Sequence, residues 1–145
     1  MNIHYDHQKL AEVVKQNNLK FVILHGSYAT SKEREDSDLD IAVVGEKTID
    51  VDDHVKLYGA MSDLFGDCIG RELDLKSIDK VDPFFRYEVI KDGVLLYGDP
   101  TEYEEYKLYV LRAYDDAKPL MDLERHLIQK FQKHLNIVSN QYAQS

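Results

Sequence analysis

Residues 21 to 44 read FVILHGSYATSKEREDSDLDIAVV, and this stretch holds two groupings of side chains able to do chemistry. Gly26-Ser27 follows one apolar run, and after ten further residues Asp38-Leu39-Asp40 opens another. Strand residues two apart point to the same face, which predicts Asp38 and Asp40 side by side with Leu39, Ile41 and Val43 turned the other way. Two carboxylates so close repel, and one is driven toward protonation unless a cation lies between them. An all-oxygen donor set suits Mg²⁺ or Mn²⁺ better than zinc, and Mg²⁺ completes its shell with water and substrate phosphates. The pair therefore predicts a metal–nucleotide site. Gly26 supplies the complementary part: glycine lets a phosphate approach the backbone, and the amides of a turn opening there, with the Ser27 hydroxyl, can hold it. Asp74 lies in ELDL, with Leu73 and Leu75 facing the opposite way. If its strand neighbours that of Asp40, the three carboxylates share a face. Three carboxylates, two metal ions and a phosphate-binding turn suit in-line displacement at phosphorus.

Taken singly, these features are ordinary, since an isolated Asp-x-Asp is most often a solvated turn or strand edge. Their joint spacing arises by chance in only about a few chains in a thousand of this length.

The elements around these residues alternate. Leu10, Val13 and Val14 give helical spacing over Asp6 to Asn17. Lys20 to His25 is an almost wholly apolar run, as in a strand buried on both faces, and Asp38 to Val44 is a second strand. A helix starting near Asp52 or Asp53 aligns Leu57, Met61, Leu64 and Phe65, and Gly66 ends it. Arg71 to Ile78 alternates with period two as a third strand. Asp82-Pro83 starts a helix with Phe84, Phe85, Val89 and Ile90 on its buried face. After Asp92-Gly93 comes a short strand, VLLYG, and Asp99-Pro100 starts a long helix expected to kink or break at Pro119 and resume from about Met121 to Val138. Tyr103, Tyr106, Val110 and Tyr114 share one face of it, either for core packing or as a partner-binding stripe. Strands alternating with helices indicate an α/β or α+β class with a mixed sheet.

The 145 residues suit one domain, and 43% hydrophobic with 31% charged residues is ordinary for a globular protein. A net charge of −9 argues against a broad nucleic-acid-binding surface. The single cysteine, Cys68, excludes an internal disulfide. No signal peptide and no membrane-spanning apolar run are legible, so the expected location is cytoplasmic. The six histidines show no metal-binding spacing, and His25 reads as a packing residue.

The pattern G-S-x10-D-x-D resembles the signature of the DNA polymerase β-type nucleotidyltransferase superfamily. The short chain resembles its minimal, MNT-type members, above all the MntA-like antitoxins encoded beside HEPN-domain toxins. The likeness runs through LHGSYA, SDLDIAVV, ELDL, KDGVLLYG and PTEYEEY. It implies a nucleotidyltransferase fold: a small mixed β-sheet flanked by helices, with a long C-terminal helical segment. The single domain would span residues 1–145, with a catalytic core over about 1–98 and C-terminal helices over about 99–140. It further implies that Gly26 and Ser27 hold nucleotide phosphates and that Asp38 and Asp40 bind two Mg²⁺ ions (or Mn²⁺). Asp74 would bind the catalytic metal and accept the proton of the attacking hydroxyl. The implied activity is transfer of AMP from ATP to a tyrosine of a partner HEPN ribonuclease toxin, with no direct nucleic-acid or membrane partner. Many members carry Arg-Gly where this chain has Thr30-Ser31. Lys32, Arg34 and Lys76 are the candidates to replace that basic contact. Two other readings are an antitoxin that acts by steric binding alone and a nucleotidyltransferase acting on a small, aminoglycoside-like acceptor.

Overall fold

Each expected helix begins where a short acidic side chain can cap it. In the computed structural model, which describes residues 3–34, 37–66 and 72–144, Asp6 caps α1 (His7–Gln16) by accepting from the amides of Gln8 and Lys9. Asp50 caps α2 (Val51–Phe65) through the Asp53 amide at 2.7 Å, so this helix starts slightly earlier than its Asp52-Asp53 pair suggests. Gly66 ends it with φ of 75°, a backbone that favours glycine. Asp82 caps α3 (Pro83–Asp92), and Asp99 caps α4 (Pro100–Ala143). Both of these helices carry proline at the first turn, where its missing N–H costs nothing.

Four strands form one mixed sheet: β1 (Leu19–His25), β2 (Leu39–Gly45), β3 (Leu73–Ser77) and β4 (Val94–Tyr97), in the order β3-β2-β1-β4. Strand β1 is antiparallel to both β2 and β4, while β2 and β3 run parallel through the α2 crossover. The expected start of the third strand at Arg71 lies outside the described residues, as does Cys68.

The two central strands are buried on both faces, which is why they read as unbroken apolar runs. Val22, Leu24, Leu39, Ile41, Val43 and Leu75 pack beneath α1 and α2 on Leu10, Val14, Leu57, Met61 and Phe65. Phe21, Ile23, Ala42, Val44 and Ile78 pack on the other face against α3 and the start of α4, through Val89, Ile90, Tyr103 and Val110. Arg86 is buried there. Its guanidinium donates to the carbonyls of Ile78, Asp79 and Val81 and closes the β3–α3 turn.

One expectation for α4 requires correction. Pro119 does not break it, and helix runs unbroken from Pro100 to Ala143. A proline removes one backbone donor and crowds the carbonyl four residues back; here that carbonyl belongs to Asp115, an exposed residue whose backbone water can satisfy. The expected two C-terminal helices are therefore one. The tyrosine face is a packing face: Tyr103 and Tyr106 each lie 5.4 Å from Phe21, and Tyr114 stacks on Tyr87 at 4.1 Å. No helix among the described residues is long and apolar enough to cross a membrane.

Candidate active site

The sheet brings two of the three candidate aspartates into direct apposition. Asp40 is paired with Asp74 across the parallel β2–β3 ladder and with His25 across the antiparallel β1–β2 ladder. His25, Asp40 and Asp74 thus form one row across three strands, their side chains on the α3 side, because Leu24, Leu39, Ile41, Leu73 and Leu75 occupy the opposite core. The backbone amide of Leu39 donates to the Glu72 carbonyl at 2.8 Å and aligns the heads of β2 and β3.

Electrostatics in the row follow from its crowding. The carboxyl of Asp40 is pushed up to about 6, first by burial, then by the charge of Asp74 and a side-chain hydrogen bond with it; Asp38 adds a smaller push and Lys76 opposes. The Lys76 ammonium lies 3.3 Å from Asp74 and 4.9 Å from the centre of the Phe85 ring. His25 is buried and held neutral, its imidazole pushed down to about 4, mainly by burial. Its Nε2 has no hydrogen-bond partner among the described residues, and its ring meets Phe85 edge-on at 6.3 Å.

Strand β2 begins at Leu39, so Asp38 stands one residue ahead of the ladder and is exposed. Its charge adds to the push on Asp40. Among the described residues no three acidic, histidine or cysteine side chains converge as a ready-made metal cage. The donor chemistry nevertheless fits a hard divalent cation: Asp40 and Asp74 are carboxylates on paired strand positions, and the charge of Asp74 works against ionisation of Asp40.

The residues expected to hold phosphate, Gly26 and Ser27, open the 3-10 turn Gly26–Tyr28 at the end of β1. Gly26 has φ of 72°, and a Cβ there would overlap the Asp40 carboxylate. Glycine is therefore required on two counts, backbone conformation and approach to the carboxylate. The Thr30 hydroxyl approaches the carbonyls of Gly26 and Ser27 at 3.4 Å, and Ser31 takes φ of 56°. Thr30-Ser31 thus keeps a tight turn, with serine in the left-handed conformation that glycine would favour. Of the three proposed substitute cations, Lys76 is brought to Asp74, while Lys32 and Arg34 are exposed on the loop.

His25 and Lys76 are the residues that motif spacing undervalued. For His25 the signal was present: Phe21, Ile23 and His25 alternate along β1, so the histidine ends an inward-facing series beside the glycine.

The family model described as "Polymerase beta, Nucleotidyltransferase" matches residues 8–102. A protein of Methanocaldococcus jannaschii, MJ1547, provisionally named a protein adenylyltransferase, is 27% identical over 85 residues, which are 59% of this chain and 61% of that protein. The chain thus spans less than two thirds of that relative. Among solved structures, a toxin–antitoxin with AMP-PNP overlays with a TM-score of 0.67 at 20% identity, covering 88% of this chain and 98% of the other. A tri-AMPylated Shewanella oneidensis HEPN toxin in complex with MNT antitoxin overlays with a TM-score of 0.61 at 20% identity, covering 87% and 95%. At these identities the likeness establishes the shared fold.

Proposed function

Because this chain belongs to the polymerase beta nucleotidyltransferase family, we propose that it is a protein adenylyltransferase and the antitoxin of a HEPN/MNT-type pair. It moves AMP from ATP to a tyrosine of a HEPN ribonuclease and so silences it. The observation that carries this reading is the Asp40–Asp74 pair set directly beside the Gly26 turn. The AMPylated toxin in the complex it overlays supports the choice of acceptor.

In this reading Gly26 and Ser27 hold the triphosphate, and Asp74 takes the proton of the tyrosine hydroxyl. The freed oxygen attacks the α-phosphorus, the bond from that phosphorus to the bridging oxygen of the β-phosphate breaks, and diphosphate leaves with the electron pair. Asp38, Asp40 and Asp74 would hold Mg²⁺ or Mn²⁺, which acidifies the acceptor hydroxyl and neutralises the leaving diphosphate. Lys76, 3.3 Å from Asp74, contributes a positive charge within reach of the same phosphates and takes the place of a basic residue at Thr30-Ser31. His25, kept neutral by burial, adds no charge to the site.

The test is incubation with labelled ATP, Mg²⁺ and the neighbouring HEPN protein. Label on a partner tyrosine is expected, lost in Asp40→Asn. Asp74→Asn should lower turnover far more than ATP affinity, since its work is on the acceptor. An Asp38→Asn/Asp40→Asn variant that still protects cells from the toxin would instead show protection by binding alone.

A further inference from the structure

Lys76 stands two residues beyond Asp74 on β3 and on the same face, because strand side chains alternate. Its register partner on β2 is Ala42, a fully buried residue with no polar side chain to hold an ammonium group. The ammonium turns back instead to Asp74, 3.3 Å from one carboxylate oxygen, and lies over the Phe85 ring. Two features make this contact easy to exchange. It is long beside a charge-assisted hydrogen bond, which closes to about 2.7–2.9 Å. It also joins side chains that are 44% and 39% exposed, and exposed pairs of this kind hold weakly. Around it the carboxylates crowd: Asp74 and Asp38 both press on Asp40, and Lys76 opposes them. Asp74 is also one of the groups that would hold a divalent cation, and a dication and an ammonium group against the same carboxylate repel each other.

We propose that Lys76 is the stand-in cation of the unloaded site: it holds Asp74 against free divalent metal and releases it when nucleotide phosphates draw the ammonium away. The inference rests on the proposed metal–nucleotide chemistry of this site. The Phe85 ring, 4.9 Å from the ammonium, also lines the cleft that His25, Gly26 and Thr30 form at the turn after β1. An ammonium group moving from Asp74 toward that turn stays beside an aromatic face, and the flexible four-carbon stem of lysine permits the movement. The consequence is linkage. Metal and nucleotide each bind better in the presence of the other, by the same factor, and Lys76 carries part of that factor. The site thereby disfavours a bare metal ion and favours metal and nucleotide together.

Mn²⁺ binding to the full chain, followed by the electron paramagnetic resonance of the free ion, tests this without any acceptor protein; the site to follow is the one that Asp74→Asn removes. Without nucleotide, Lys76→Met is expected to bind Mn²⁺ about fivefold tighter than wild type, the worth of one exposed ion pair. With AMP-PNP present it should bind Mn²⁺ and nucleotide together several-fold more weakly. Without nucleotide, Lys76→Arg, which keeps the charge, should stay near wild type. So should Lys32→Met, which removes the same charge from the exposed loop. A structural role for Lys76 would weaken both measurements, and an effect of net charge would appear equally in Lys32→Met. Equal Mn²⁺ affinity in Lys76→Met and wild type, or an equal gain in Lys32→Met, would overturn the exchange and leave the metal site standing. Absence of Mn²⁺ binding by every form, with AMP-PNP or without, would overturn the metal–nucleotide chemistry and the exchange with it.

Discussion

The candidate site is assembled from two kinds of structure. Asp40 and Asp74 sit on paired strands whose register is held by the two cores, and their separation follows from the ladder. Gly26, Ser27, Thr30 and Asp38 belong to a turn and loop held by local bonds, such as Lys32 N–H to the Ser27 carbonyl at 2.9 Å and Arg34 N–H to the Ser37 hydroxyl at 2.7 Å. Asp38 and Asp40 show the difference within three residues: one is exposed and outside the ladder, the other part-buried with its carboxyl pushed up to about 6. Strands deliver charge to a fixed place at an electrostatic cost, while the loop groups are held by local bonds alone.

The largest expected effect is at the strand-built half. Asp40→Asn should leave no transfer above background in the labelled-ATP assay, and transfer near the wild-type rate would break the assignment. The next is at the junction of the two halves. Gly26→Val forces a side chain into the Asp40 carboxylate and strains a positive-φ backbone, so kcat/KM should fall about a hundredfold, as for other small displacements of reacting groups. A fully active variant would show that the turn and the carboxylate do not act together.

A pH experiment on the metal-free protein separates the halves by stability. Asp40 has its folded value raised from 3.8 to about 6, so its contribution is present at low pH and is lost as pH rises between those values. His25 is lowered from 6.5 to about 4, so its contribution is present above 6.5 and is lost as pH falls toward 4. The two oppose each other, and the wild-type melting temperature should change little between about pH 4 and 6. Asp40→Asn should leave a stability that falls as the solution is acidified. His25→Phe should leave one that falls as it is made less acid, and Asp38→Asn should stay close to wild type. Parallel profiles for Asp38→Asn and Asp40→Asn would erase the distinction between them.

The smallest effects belong to the loop. Ser27→Ala should weaken ATP binding by roughly 1–3 kcal/mol, the loss of a hydrogen bond to a charged group. Thr30→Ala removes only long contacts and should cost less than about 1 kcal/mol. ATP titrations of the two variants check that order.

Much of this site is legible in the chain itself. The apolar runs ending at His25 and beginning at Leu39 are unambiguous because both central strands are buried on two faces. The helix starts are legible because Asp6, Asp82 and Asp99 are local caps that need no tertiary context. Where β2 begins was not legible, because nothing local marks where pairing starts: Asp38 stands one residue ahead of the ladder. Pro119 misled because a proline's effect depends on whether water can reach the carbonyl it frees.

Local chemistry therefore determined the element types, their caps, the glycine at the turn after β1 and the aspartates carried on the strands. Tertiary structure alone decided that β3 lies beside β2, bringing Asp74 to Asp40, and that His25 joins their row. It also decided which half of α4 is covered: Tyr103 and Val110 are buried while Leu120 and Phe131 are exposed. The reason is the same in each case. A period of two or 3.6 tells which residues share a face, but which face meets which depends on contacts between segments far apart in the chain.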